Sequence, residues 1–235
     1  MKKTEFLVYS AMFLLLGCSN VKDFQNPKKV HFSNKYLKEI CCIGTEGFFE
    51  LQDNKPVNIQ NAISKMKQYR NFNCSYNPAE DIWECSAQDQ TDGSFKTYCK
   101  CKWLGKWHDQ DLIFRYYDGG GTGRFTGIFL CTVKNGNLVI KKWLLDGDRA
   151  MDGIISTPIF DGKNSIYFYC SLSTDTVAKL QGIKGKYPSQ YAIGYWNISK
   201  CVYNLETDEL EILDLLITQK NNLSGFFKVT PVSNF

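Results

Sequence analysis

The chain has 235 residues, 43% of them apolar and 22% charged, with a formal net charge of +4. An aromatic share of 14% excludes a disordered chain, and 18 glycines with 6 prolines exclude a fibrous one. The positive balance is too small to indicate the basic patch of a nucleic-acid binder, so no nucleic acid is expected as partner. Ten cysteines are many for this length and raise the question of compartment.

Lys2 and Lys3 open the chain, followed by a largely apolar run from Phe6 to Leu16 and then Gly17-Cys18-Ser19-Asn20. A basic start, a short apolar stretch and a small residue before the cut make a secretory signal peptide. The run is well short of the roughly 20 residues that a spanning helix needs. Leu15-Leu16-Gly17-Cys18 resembles the lipobox of bacterial lipoproteins, and the resemblance covers residues 1–18. It implies that the Cys18 sulfur carries diacylglycerol, that residues 1–17 are removed, and that the new N-terminus is acylated by a fatty acid such as palmitate. Several acyl chains, at about 0.8 kcal/mol per buried methylene, hold a chain stably to a lipid membrane. Leu16 stands where that family more often has a smaller residue. Ser19 resembles the outer-membrane class, whereas Asp there marks inner-membrane retention. The expected location is therefore the bacterial cell envelope, on the outer membrane in a cell that has two.

Residues 18–35 are polar, with Asn26-Pro27 and Lys28-Lys29, and read as a tether. Residues 36–235 read as a single mainly β domain. Tyr36 to Phe49 is mixed, with apolar patches at Ile40 to Ile43 and at Phe48-Phe49. Asn58 to Tyr69 carries Ile59, Ile63 and Met66 at helical spacing, with Asn58 as N-cap, and predicts one short helix. From Trp83 onward the pattern is strands and turns. Phe95 to Trp103 alternates, placing Phe95, Thr97, Cys99, Cys101 and Trp103 on one face, and Asp111 to Tyr117 is a second strand. Three hairpins follow. They turn at Asn135-Gly136, at Asp161-Gly162 and at Glu206 to Glu209, and Phe226 to Val232 is a last strand. The predicted fold is an antiparallel meander forming a sandwich or partly closed barrel, with one short N-terminal helix. A small propeller-like or an α+β arrangement is the alternative.

With Cys18 on lipid, an odd set of cysteines remains, which excludes a fully paired intramolecular framework. Cys74 and Cys85 flank the turn-like stretch Ser75 to Glu84 and are the favoured disulfide. Cys131, Cys170 and Cys201 sit inside apolar runs and read as small buried hydrophobes. Structural zinc needs Cys or His pairs at short spacing. The chain has one C-C, one C-x-C and no C-x-x-C, so no metal is expected.

Three stretches have residues that could do chemistry. Asp118-Gly119-Gly120-Gly121-Thr122-Gly123-Arg124 is glycine-rich, but it fits no phosphate-loop pattern and lies between strands. It reads as a bent connection that could receive a partner. Asp146-Gly147-Asp148-Arg149-Ala150-Met151-Asp152 concentrates carboxylates. An EF-hand starting at Asp146 is excluded, because Ala150, Met151 and Thr157 stand where a ligand, a glycine and a glutamate belong. If the two loops meet, Asp118, Arg124 and Arg149 form a patch. Trp107-His108-Asp109-Gln110-Asp111 offers a histidine and carboxylates, with Cys99 and Cys101 near in sequence, and reads as an exposed turn. S-x-x-K occurs at Ser64 to Lys67 without the S-D-N and K-T-G partners that give it meaning.

No catalytic set and no cofactor site emerges. The expected function is that of a membrane-anchored envelope lipoprotein acting by binding another envelope protein, for example as an immunity or inhibitor protein. The alternative is an envelope enzyme or glycan-binding module using the loops at 118–124 and 146–153.

Overall fold

The computed structural model describes residues 34–47, 54–91, 93, 96–120, 123–148, 152–182 and 197–218. All of them lie in one compact unit, Val30–Thr230. Residues 1–17, expected to be a signal peptide, Cys18 and the strand expected at 226–232 lie outside the described residues.

The architecture is mainly β, with 59% of the described residues in strands, antiparallel sheets and few short helices. Helix α1 (Asn34–Gly44) leads to β1 (Val57–Asn58) and α2 (Ile59–Met66). Six strands then run consecutively: β2 (Arg70–Asn77), β3 (Ile82–Asp89), β4 (Lys96–Trp107), β5 (Gln110–Asp118), β6 (Arg124–Lys134) and β7 (Asn137–Asp148). Each pairs with the next, and β1 adds to β7, giving a seven-stranded sheet that curls into a half-barrel. The second sheet holds β8 (Gly153–Ile154), β9 (Ile159–Phe160), β10 (Ser165–Leu172), β11 (Asn197–Asn204) and β12 (Glu209–Thr218). Its order is β12-β11-β10-β8, with β9 also on β10. A short α3 (Thr174–Leu180) follows β10.

Local chemistry explains these elements. The Asn58 side chain accepts a hydrogen bond from the Asn61 amide at 3.0 Å, and Ile59, Ile63 and Met66 are buried, as their spacing predicts. Asn135 and Gly136 both take positive φ, 51° and 74°, which the tight β6–β7 hairpin needs. The Ile59 amide donates to the Gly136 carbonyl at 3.0 Å, so this turn also seats the start of α2. Asp161 closes the next hairpin by accepting from the Lys163 and Ser165 amides.

The curled sheet is buried on both faces, and β5 makes this plain. Residues 111–115 are all buried. Ile113 faces a core shared with α1, α2 and buried residues of β3, β4, β6 and β7. Leu112 and Phe114 face a second core, built with Ile166, Phe168, Leu172, Tyr203 and Leu215 of the second sheet and Val177 of α3. A hydrogen bond from the Ile154 amide to Thr126 Oγ1, 2.7 Å, ties β8 to β6 across this core.

Cys170 and Cys201 belong to the second core and are free thiols. Burial pushes the Cys201 thiol from an ordinary value of 9.0 up to about 12, and burial with the neighbouring Cys201 pushes Cys170 up as well. Between these values the unfolded chain loses thiol protons that the folded chain keeps. Stability is thus complete below pH 9 and falls as pH rises, by about 1.4 kcal/mol per pH unit per thiol. Urea unfolding between pH 8 and about 11 should show this slope. Cys201→Ala should make it shallower, and an unaltered slope in that variant would contradict the assignment.

Candidate functional site

The β5–β6 hairpin carries the glycine-rich stretch. Asp118 and Arg124 are cross-strand partners, and their side chains pair at 3.5 Å. Asp118 also accepts from the Gly120 amide at 3.0 Å, and Gly120 takes a φ of 80° that suits glycine. Aromatic rings account for two further glycines. A Cβ at Gly119 would sit 3.0 Å from the Tyr117 hydroxyl, and one at Gly123 would sit 2.7 Å from the Phe125 ring. Phe125 stacks on Tyr117 with centroids 6.2 Å apart, yet stays 39% exposed. Gly121 and Thr122 lie outside the described residues.

The described flanks of the two stretches lie at the same end of the sheet. Phe125 is the cross-strand partner of Asp148 on β7, so the β5–β6 turn and the end of β7 share one end of the sheet. Arg149 lies outside the described residues. The remaining acidic residues have other engagements. Asp146 accepts from Arg115 at 3.0 Å. The Arg115 side chain is only 6% exposed, donates to the Gly47 carbonyl at 3.3 Å and lies 4.6 Å over the Trp143 ring. Gly127 stands opposite Asp146, and a Cβ there would press on the Leu145 carbonyl at 2.8 Å. Asp152 sits at β8 and holds the start of α3 by accepting from the Ser173 amide and the Thr176 hydroxyl. The acidic run is thus divided between the sheet end and a helix cap.

His108 occupies the two-residue β4–β5 turn at φ 52°, its ring against Trp107. Asp111 is buried and accepts from Trp103 Nε1 at 3.1 Å, and burial raises its carboxyl. Cys99 and Cys101 lie farther along β4, wholly buried beneath α1, and do not meet this histidine.

Those two cysteines form a different cluster that the sequence spacing did not disclose. Alternation along β4 turns both inward, where Cys41 of α1 comes down on them. The three Sγ atoms lie within 4.8 Å of one another, and all three residues are 0% exposed. Cys99 and Cys101 Sγ are 3.9 Å apart, and the Cys41 thiol reaches the carbonyls of Trp83 and Cys99, both at 3.2 Å. Arg115 is the cross-strand partner of Cys101. Burial raises all three thiols. For Cys99, hydrogen bonds from Cys101 and Cys41 and the charge of Arg115 outweigh it and hold that thiol well below its ordinary value. Cys41 and Cys101 stay well above theirs. Next to them, Cys74 and Cys85 face each other across β2 and β3, Cα atoms 4.1 Å apart, and are disulfide-bonded. Cys85 is in turn the cross-strand partner of Cys99. Among the described residues, this trio is the one group of three metal-capable donors that converges.

No family model, no curated protein and no solved structure matches the chain. Among the described residues, no helix is long and apolar enough to cross a membrane.

Proposed function

We propose that the chain is a lipid-anchored protein of the bacterial envelope, held at Cys18, that acts by binding another envelope protein through the β5–β6 end of its curled sheet. The anchor rests on the basic start and the lipobox-like Leu15-Leu16-Gly17-Cys18. The binding surface rests on one observation: at that end an exposed, stacked phenylalanine, Phe125, stands beside the Asp118–Arg124 ion pair on a glycine-rich turn. Aromatic side chains are enriched at protein interfaces, where they act as anchors within a polar rim. An inhibitor or immunity protein is one form of such a binder.

The test is photo-crosslinking from this turn in detergent-solubilised envelopes, followed by titration of the captured protein. Exchanging Phe125→Ser together with Arg124→Glu should weaken that complex by more than about tenfold. Circular dichroism should show the variant still folded, with a midpoint lowered by the lost Asp118 pair and Tyr117 stack. Capture that ignores both substitutions would refute the surface. Retention on peptidoglycan in place of a protein would favour the glycan-binding alternative.

A further inference from the structure

We propose that Cys41, Cys99 and Cys101 form a closed three-sulfur site for one soft monovalent metal ion, with copper(I) as the ion that fits it. The site is independent of the surface at the β5–β6 turn. Its geometry comes close to that of a metal-loaded trio. A metal about 2.3 Å from each of three sulfurs in one plane sets those sulfurs about 4.0 Å apart. Cys99 and Cys101 Sγ already stand 3.9 Å apart, and no separation in the trio exceeds 4.8 Å. Loading therefore asks for sulfur movements of less than about 1 Å, within reach of a side-chain rotation.

The donor set selects the ion. Three thiolates are soft ligands and favour copper(I), zinc or iron–sulfur chemistry over magnesium or calcium. Zinc in a structural site takes four ligands, and a catalytic zinc keeps a position open to water. Here, among the described residues, no fourth histidine, cysteine or carboxylate converges with the trio, and all three cysteines are 0% exposed. Copper(I) is satisfied by three sulfurs alone. The charge also needs an answer, since one copper(I) with three thiolates carries a net charge of −2. The Arg115 guanidinium, anchored opposite Cys101 on β5 and almost fully buried, lies where it offsets part of that charge.

The loading step is a ligand exchange. Each S–H bond that opens gives its proton to solvent as a Cu–S bond forms, and the donor thiol that delivered the ion leaves with a proton. Copper enters and remains as copper(I), so no electron is transferred.

The experiment uses the full chain with Cys18→Ser, which removes the one thiol outside the domain, in detergent micelles and without oxygen. Copper(I) is titrated against a chelator specific for it, and the loaded protein is studied by X-ray absorption. The expected result is one copper(I) per chain with three sulfur neighbours at about 2.3 Å. Cys41→Ser, Cys99→Ser and Cys101→Ser should each weaken retention by more than about tenfold. Cys131→Ser, buried in the same core, should leave it unchanged. Where a serine variant unfolds by circular dichroism, the absorption spectrum of the parent decides alone. Loss of copper(I) to the chelator would overturn the proposal. So would two sulfur neighbours, any nitrogen or oxygen neighbour, a stoichiometric zinc held in preference, or equal losses in a folded Cys131→Ser variant.

Discussion

Gly105→Val should lower the free energy of unfolding by about 3 kcal/mol, measured by urea titration. Gly105 sits at the irregular step in the β4–β5 ladder with a φ of 154°, a conformation that β-branched residues rarely adopt. A Cβ there would stand 2.7 Å from Cδ1 of Phe160 on β9. Backbone strain costs about 1–3 kcal/mol, and overpacking against a ring costs about as much again. The contact is the point where β4 of the curled sheet meets β9 of the second sheet. Phe160→Ala should therefore relieve part of the penalty. In the double variant the two losses should fall short of additive by at least about 1 kcal/mol. Strict additivity would mean that strain at residue 105, and not packing between the sheets, carries the effect.

The sequence made much of this fold legible, and physical chemistry accounts for the rest. The β6–β7 and β9–β10 hairpins announce themselves through Asn135-Gly136 and Asp161-Gly162, because few other residue pairs accept such turns. Helix α2 is equally plain from Ile59, Ile63 and Met66. Helix α1 is obscured by its cysteines. Leu37, Ile40, Cys41 and Gly44 do follow helical spacing and are buried, but a Cys-Cys pair in a mixed stretch does not read as a helix face. Strand β2 escapes for another reason. It is the last strand of its sheet, and only Phe72, Cys74 and Tyr76 mark one face among asparagines, a weak two-residue period. Helix α3 rests on the Ser173 cap and on Asp152, a contact twenty-one residues apart that no local pattern carries.

The same limit applies to the sites. That the loops at 118–124 and 146–148 share one end of the sheet follows from strand order, and strand order follows from the hairpins. The partners of Asp146 and Asp152 stand 21 to 31 residues away, beyond what a local pattern carries. The sulfur trio is the clearest case. Cys99-x-Cys101 gives two of its members on one strand face, while Cys41 stands 58 residues away on a helix. Metal signatures read as short spacings register only two of its three members.

The lipid anchor proposed at Cys18 is open to direct test. The direct measurement is the mass of the N-terminal fragment of the chain recovered from bacterial membranes after growth with labelled palmitate. The chain should begin at Cys18 and carry diacylglycerol on its sulfur and a fatty acid on its amine, and Cys18→Ser should lose both the label and the membrane fraction. A chain that keeps residues 1–17, or that is cut at another position and bears no lipid, would contradict it.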